Sequence, residues 1–251
     1  MLSVIYNYIL LPWLILAIIS FLFLLKTNAP YGKFSNNKWG KLHNYKIGWF
    51  IQEIISPLSF SYFFMIGNGE KNIISWILFS IWVGHYINRS VFFPIRITNA
   101  SKIPTSVILS AIFFNLINGF INGYYLGHLA DFTSTNYLYS YNFIIGIVIF
   151  LVGLFINITS DNILIKIKAL NQGYKIPNGL FYKYVSCPNY LGEILEWLGF
   201  AIICWSFPAF LFLIWTIANL LPRALANHKW YKRKFKKEYP NKRKAIIPFI
   251  I

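Results

Sequence analysis

The sequence predicts an all-α integral membrane protein, a bundle of seven transmembrane helices, from two observations. Hydrophobic residues make up 57% of the 251 residues, charged residues make up 12%, and the mean hydropathy is +0.54. A soluble domain carries about 25% charged residues, so too few polar side chains are present here to cover a water-facing surface. The second observation is a succession of apolar runs of roughly 20 residues, the length that crosses a bilayer as a helix.

Seven apolar runs define the predicted helices. The first, residues 3–25, is too long for the core of a signal peptide and has no basic start and no small-residue cleavage site, so we predict a retained helix. The next runs are at residues 47–66, 73–94, 105–127, 139–166 and 189–206. Pro208 ends the sixth run, because proline interrupts a helix, and the seventh run continues from there to about residue 225.

The charges of the connecting segments alternate along the chain. The segments after the first, third and fifth runs carry several basic residues, and the tail from Arg223 onward is densely basic. The segment after the second run carries only Lys71, and those after the fourth and sixth carry no Lys or Arg. Basic segments stay on the cytoplasmic side, so the pattern predicts an N-terminus outside and a C-terminus in the cytoplasm. We expect a multi-pass monomer, in the bacterial inner membrane or the endoplasmic reticulum membrane depending on the source cell.

The net charge of +16 does not indicate a nucleic-acid partner. The basic residues gather between the apolar runs and in the tail, and neither a recognition helix nor a zinc-ligand spacing accompanies them. Cys187 and Cys204 lie in or beside apolar stretches, and we interpret them as ordinary thiols, with a disulfide left open. We predict no metal site.

Acidic residues inside the apolar runs are the most informative feature. Four of the seven acids, Glu53, Asp161, Glu193 and Glu196, fall within or at the ends of predicted helices. A charge there is costly unless it faces a cavity or a partner. Asn189, Glu193 and Glu196 are spaced four and three apart and share one helix face. By spacing alone, this stripe fits either interhelical packing or a ligand site.

Further polar patterns accompany these acids. Asn157 and Asp161 are four apart near the cytoplasmic end of the fifth run. In the fourth run Gly119 and Gly123 form a Gly-x-x-x-Gly pattern, which favours close helix packing, whereas the asparagine before each glycine is less easily explained that way. In the third run, Tyr86 is either a proton donor to a carbonyl oxygen or an interface anchor.

Several nucleotide-binding and hydrolytic motifs do not occur in the sequence. It contains no Gly-x-Gly-x-x-Gly after a strand, no P-loop, no His-Glu-x-x-His and no Gly-x-Ser-x-Gly. Any nucleotide must therefore be held by polar side chains of the helical bundle and its cytoplasmic segments.

Several blocks of the sequence resemble the steroid 5-alpha-reductase family. They include NGLFYKYVSCPNYLGEILEWLGFAIICWSFPA, the tail LPRALANHKWYKRKFKKEYPNKRKAIIPFII, and the earlier pieces APYGKF, WFIQE, HYINRSVFFP, NGFINGYYLG and INITSDNIL. They occur in the family's order and cover about residues 30–251. The resemblance implies one seven-helix domain over residues 1–251, whose C-terminal core, about 105–251, mainly binds the cofactor. It also implies reduction by NADPH of the 4,5 double bond of a 3-oxo-4-ene steroid.

The resemblance implies roles for individual residues. Glu53 and Tyr86 match the catalytic pair that hydrogen-bonds the steroid carbonyl, and Gln52, Trp49 and Trp197 are expected around the steroid. The residues expected to bind NADPH are Tyr31, Lys33, Arg89, Asn157, Asp161, Lys168, Lys175, Asn189, Glu193, Arg223, His228 and Tyr231. Glu196 is expected to be a partner of a basic group such as Arg223.

The implied mechanism is addition of hydride to the β carbon of an enone, with negative charge moving to the carbonyl oxygen. Tyr86, oriented by Glu53, supplies a hydrogen bond to that oxygen. Three alternatives remain open: a reductase of another lipid enone or enoyl substrate, an S-adenosylmethionine-dependent membrane methyltransferase, and a non-enzymatic sterol-binding protein. The Gln-Glu and His-Tyr blocks favour the steroid reductase.

Overall fold

A computed structural model describes residues 1–30, 32–98, 101–132, 136–170 and 173–251. The chain forms two compact units. The first comprises Met1–Pro12 and Ala29–Phe143, and the second comprises Trp13–Asn28 and Ile144–Ile251. Helices occupy all seven predicted runs, and whether each of them crosses the membrane stays a prediction.

The first unit is built from helices and one short ribbon. Its helices are the start of α1 (Leu2–Lys26), α2 (Tyr45–Met65), α3 (Ile73–Ile87), α4 (Phe93–Arg96) and α5 (Thr105–Tyr124). A π-helical turn, Asn88–Phe92, joins α3 to α4, so the third predicted run is continuously helical. A second π-helical turn, Tyr125–Leu129, extends α5. The strands β1 (Leu42–Asn44) and β2 (Lys102–Pro104) pair antiparallel, an element that the hydropathy pattern does not predict.

Contacts along α2 fix the direction of α3. Trp49 Nε1 donates to the backbone oxygen of Arg89 at 2.9 Å, and Trp82 Nε1 donates to Ser56 Oγ at 3.2 Å. As the residue number along α2 rises from 49 to 56, the number of the residue that it contacts falls from 89 to 82. The two helices run antiparallel, and residues 52 and 53 lie level with residues 85 and 86.

Glycines bring α5 against the backbone of α2. A methyl group on Gly119 would lie 2.9 Å from the Phe60 nitrogen, one on Gly123 would overlap the Phe60 carbonyl, and one on Gly127 would lie 2.7 Å from the Phe64 oxygen. From the first of these contacts to the last, the residue numbers increase along both helices, so α5 runs parallel to α2. The packing predicted from Gly-x-x-x-Gly is confirmed and continues one turn further, to Gly127.

The second unit contains α6 (Tyr141–Ala169), α7 (Pro188–Cys204) and α8 (Phe207–Phe235). Between α7 and α8, Trp205 has a left-handed backbone with φ 41° and ψ 47°, and Pro208 lies in the first turn of α8. The predicted break at Pro208 is therefore confirmed. The predicted end of the seventh run near residue 225 is wrong for the helix, because α8 continues to Phe235 through a basic, amphipathic segment. Both cysteines are free and buried.

Helices α6 and α7 cross closely at two pairs of glycines. A methyl group on Gly199 would lie 2.5 Å from the Gly146 oxygen, and one on Gly192 would lie 2.7 Å from the Gly153 oxygen. The glycines are seven apart on each helix, and their pairing runs in opposite order, so the helices are antiparallel. This approach leaves no room for a side chain between the two backbones.

The two faces of α6 differ as expected for a helix beside lipid. Its exposed face is apolar and consists of Ile144, Ile145, Val148, Leu151, Val152 and Phe155. Its buried face carries Gly146 and Gly153 and ends in polar residues, Asn157, Ser160 and Asp161. A helix that shows apolar side chains outward and buries polar ones is the reverse of a water-facing helix.

Within the described part of the chain, four helices are long and apolar enough to cross a membrane. They are Leu2–Lys26, Thr105–Leu129, Tyr141–Ala169 and Phe207–Glu238. Among the other predicted spans, α3 and α7 have only 15 and 17 residues, and α2 carries Lys46, Gln52 and Glu53.

Candidate functional site

In the first unit, a buried amide and a carboxyl are linked on α2. Gln52 is 3% exposed, and its Nε2 donates to Glu53 Oε1 at 3.0 Å. From α5, Asn115 Nδ2 donates to the backbone oxygen of Gln52 at 2.7 Å. One oxygen of the half-buried Glu53 carboxyl is thereby engaged by its neighbour.

Tyr86 lies on α3, at the level of this pair. Its ring is buried and contacts the rings of Trp82, with centroids 5.6 Å apart, and His85, with centroids 5.2 Å apart. Ser90 Oγ donates to the backbone oxygen of Tyr86 at 2.6 Å, at the start of the π-helical turn. A phenol and a carboxyl at one level of a buried helix pair can together stabilise charge on a carbonyl oxygen.

Trp49 and Arg89 are coupled one turn further along the same helix pair. Besides accepting the Trp49 hydrogen bond on its backbone oxygen, Arg89 places its guanidinium carbon 5.2 Å from the Trp49 ring and 4.7 Å from the Phe93 ring. These distances are those of cation–π contacts. The aromatic rings thus fix the direction of a half-buried cation.

In the second unit, the two polar patterns of α6 and α7 meet. Asn157 Nδ2 donates to the backbone oxygen of Asn189 at 3.0 Å, and Asn189 Nδ2 donates to Asp161 Oδ1 at 3.0 Å. The contact between Gly153 and Gly192 lies one turn away and allows the helices to approach this closely. The three side chains form a set of amides and a carboxylate, which suits hydroxyl and carboxamide groups of a ligand.

Ser186, just before α7, joins three segments of the second unit. Its buried Oγ lies 2.5 Å from His228 Nδ1 on α8 and 2.6 Å from the Tyr239 hydroxyl, and it donates to the Lys244 backbone oxygen at 2.9 Å. Burial raises the pKa of Tyr239 above its ordinary value, so this phenol stays protonated at neutral pH. His228 is therefore held in place by the C-terminal tail as well as by its own helix.

The tail also buries a cation. Arg243 is 3% exposed and donates to the Pro177 oxygen at 3.1 Å and to Asn178 Oδ1 at 3.2 Å, while its guanidinium carbon lies 5.2 Å from the Tyr239 ring. Tyr182 donates to the Ser160 oxygen at 3.4 Å. Burial raises the pKa of Tyr182 well above its ordinary value, and the charge of Asp161 adds to that shift.

The remaining predicted site residues lie in differing surroundings. Trp197 is 1% exposed and packs against Phe200 and Phe212, with centroids 5.8 and 4.5 Å away. The Lys33 ammonium lies 5.5 Å from the Phe34 ring, and Lys168 and Lys175 are exposed. Glu193, Arg223 and Tyr231 are half-buried. Tyr31 lies outside the described residues.

Some residues that bond to these side chains were not predicted. Neither spacing nor the family resemblance assigns a role to Asn115, Ser186, Tyr239 or Arg243. Arg243 stands between Lys242, which is exposed, and Lys244, which is half-buried, and no spacing distinguishes the buried cation from the other basic residues of the tail. Only the folded tail reveals which of them is buried.

Comparisons with known proteins agree with one another. The sequence pattern of the family described as 3-oxo-5-alpha-steroid 4-dehydrogenase matches residues 101–251. The chain is 40% identical to a protein of Gossypium hirsutum named steroid 5-alpha-reductase DET2, over 98% of this chain and 97% of that protein. It is 41% identical to the Arabidopsis thaliana protein of the same name, over 88% and 87%. It is 34% identical to 3-oxo-5-alpha-steroid 4-dehydrogenase 1 of Rattus norvegicus, over 94% and 92%.

Proposed function

Because the chain belongs to the 3-oxo-5-alpha-steroid 4-dehydrogenase family, it is an oxidoreductase acting on CH–CH groups, and we propose that it reduces a steroid with NADPH. The proposed substrate is a 3-oxo-4-ene steroid and the product a 5-alpha-3-oxosteroid. The observation that carries this proposal is the antiparallel register of α2 and α3, which puts Glu53 and Tyr86 at one level.

The proposed catalytic role of the protein is to stabilise negative charge on the oxygen of the substrate carbonyl. When hydride adds at C5 of the enone, negative charge develops on the oxygen at C3. The Tyr86 hydroxyl donates a hydrogen bond to that oxygen, and the Glu53 carboxyl orients this donor. Gln52 at this level and Trp49 one turn away are proposed to line the steroid. The resulting enolate takes a proton at C4 from water. Trp197 is proposed to line the steroid.

The proposed cofactor residues have the chemistry that NADPH needs. NADPH, when bound, supplies the hydride. The set of Asn157, Asp161 and Asn189 is suited to ribose hydroxyls and to a carboxamide, since it combines amide donors with a carboxylate. The other proposed contacts are Glu193, Tyr231 and Tyr31. The residues proposed for the phosphates carry cationic or neutral nitrogen groups and are Lys33, Arg89, Lys168, Lys175, Arg223 and His228.

We also propose that the chain crosses the membrane seven times as one enzyme domain over residues 1–251, with its N-terminus outside and its C-terminus in the cytoplasm. Within the first unit, α3 runs antiparallel and α5 parallel to α2, and within the second, α7 runs antiparallel to α6. Successive crossings require this alternation. The membrane is the bacterial inner membrane or that of the endoplasmic reticulum, and the enzyme is a monomer.

Turnover of a substrate panel tests the proposed activity. Membranes containing the protein are incubated with NADPH and testosterone or progesterone, and the 5-alpha-reduced steroid is measured against membranes without the protein. Parallel incubations contain an enoyl thioester, a polyprenol precursor, or S-adenosylmethionine with a methyl acceptor. We expect steroid reduction that depends on NADPH. Methyl transfer without reduction of any enone, or steroid binding without turnover, would refute the proposal.

A further inference from the structure

We infer that Asn115 is a positioning residue that acts through Gln52 to hold the Glu53 carboxyl in place. The inference rests on the proposed function, because the role of Glu53 at the substrate carbonyl is itself proposed. Asn115 belongs to α5, and neither the family resemblance nor its spacing assigned it a role.

The hydrogen bond of Asn115 crosses from one helix to another. Asn115 is 3% exposed, and its Nδ2 donates to the Gln52 backbone oxygen at 2.7 Å. Asn122, two turns later on the same helix, is equally buried but donates to the Asn118 oxygen of its own helix at 3.1 Å. Asn122 therefore satisfies α5 locally, whereas Asn115 ties α5 to the residue that precedes Glu53.

Gln52 passes this attachment on to the carboxyl. Its Nε2 donates to Glu53 Oε1, while its Oε1 is buried without a hydrogen-bond partner among the described residues. Turning the amide over would place Gln52 Oε1 against Glu53 Oε1, exchanging a hydrogen bond for a repulsion between two acceptors. Gln52 thus engages one oxygen of the Glu53 carboxyl, which leaves the other oxygen for the reacting groups.

The bonds of α3 to α2 do not replace this attachment. Trp49 and Ser56 bond to α3 about one turn before and one turn after Glu53. Asn115 bonds to α2 between them, from α5. Donors to a developing oxyanion act at about 2.7–3.1 Å, and a misplacement of about 1 Å can cost about 100-fold in rate. A small displacement of Gln52 is therefore enough to slow the reaction without unfolding α2.

Variants of similar side-chain size isolate the Asn115 hydrogen bond. Asn115→Leu and Asn115→Val both remove the amide and leave an apolar side chain of comparable volume. We expect kcat for the steroid to fall about 10- to 100-fold in both, with the dissociation constant of NADPH unchanged. The matched control is Asn122→Leu, which removes an equally buried asparagine and should leave kcat within about twofold, by the same reasoning.

A double-mutant cycle separates positioning from a general structural role. If Asn115 acts through Glu53, then Asn115→Leu added to Glu53→Gln should lower kcat no further. An equal loss in both backgrounds, or a loss no larger than that of Asn122→Leu, would overturn the inference. If Asn115→Leu does not bind NADPH, because it does not fold, Asn115→Val is measured in the same cycle. Undiminished turnover by Glu53→Gln alone would instead refute the proposed catalytic role of Glu53, whereas no steroid turnover by the unaltered protein would refute the proposed function.

Discussion

Glu53 and Tyr86 are separated by 33 positions in sequence, yet the register of α2 and α3 brings them to one level of the helix pair. A carboxyl is an expensive group to place in an apolar bundle, and a buried phenol such as that of Tyr86 needs a hydrogen-bond partner. Their joint occurrence is explained when the same place must stabilise charge on a carbonyl oxygen. Helix packing alone would be served by smaller or apolar side chains, as it is at Gly119 and Gly123.

Replacement of these two side chains tests their proposed role. Glu53→Gln and Tyr86→Phe should each lower kcat for steroid reduction by about 100-fold or more, since each removes a group from the charge-stabilising set. NADPH binding should be unchanged. The matched control is Tyr62→Phe, because Tyr62 is on α2 and 60% exposed. Full activity of the Tyr86→Phe enzyme would contradict the assignment.

At the residue scale, spacing identifies groups that share a helix face but not which oxygen or nitrogen is already engaged. The stripe of Asn189, Glu193 and Glu196 was open between packing and ligand binding, and the structure gives Asn189 a packing contact with Asp161. The two interpretations are compatible, because the same hydrogen bond that joins α6 to α7 also orients Asp161. That arrangement follows from the crossing of two helices, which periodicity within one helix does not determine.

At the element scale, the glycine pairs of α6 and α7 set the position of the second unit's polar residues. Gly192 faces the Asn157 nitrogen and the Gly153 oxygen, so the backbones touch where Asn157 bonds to Asn189. Any side chain at Gly192 must push the helices apart. The same displacement would lengthen the hydrogen bonds of Asn157 and Asn189.

A single methyl group at this crossing should therefore be harmful. Gly192→Ala places it 2.5 Å from the Asn157 nitrogen, and we expect a loss of about 1–3 kcal/mol in stability, seen as a lower Tm in detergent, together with weaker NADPH binding. Gly84→Ala is the control, because a methyl group there meets nothing within 4 Å. It should be neutral or stabilising, since alanine favours a helix. Equal Tm values for the two variants would show that the crossing tolerates the methyl group.

The apolar runs predict where helices lie better than where they end. The third run was predicted over 73–94, and the helical path through α3, the π-helical turn and α4 ends at Arg96. The end of α8 was missed, because hydropathy falls at Arg223 although the segment remains helical and amphipathic. At about 1.5 Å per residue, its 29 residues exceed the roughly 30 Å of hydrocarbon. The ribbon of β1 and β2 depends on a long-range pairing, and strands of three residues are too short to show a recognisable sequence pattern.

At the scale of the whole molecule, the alternating charges of the connecting segments predict the sides of the membrane. The prediction concerns how the chain is inserted into the membrane, and it depends on no contact within the folded protein. It is independent of the site residues, so the topology can be right even if a catalytic assignment is wrong.

Labelling of single cysteines tests the topology. Cys187 and Cys204 are buried, so new surface cysteines report above a low background. Both Glu70 and Lys183 are exposed, and they lie on segments predicted to be outside and cytoplasmic, respectively. In sealed vesicles of known orientation, an impermeant maleimide added on the side opposite the cytoplasmic one should label Glu70→Cys and should not label Lys183→Cys. The reverse pattern would invert the topology, and labelling of both from one side would refute seven crossings.

The transfer of deuterium from the cofactor to the steroid tests the central claim most directly. Membranes containing the protein are incubated with a 3-oxo-4-ene steroid and NADPH carrying deuterium at C4 of the nicotinamide, in separate reactions for the two positions. For one of the two, the account predicts a 5-alpha-reduced product with a single deuterium at C5 and solvent hydrogen at C4. A product without deuterium at C5 from either cofactor, or no reduced steroid at all, would contradict it.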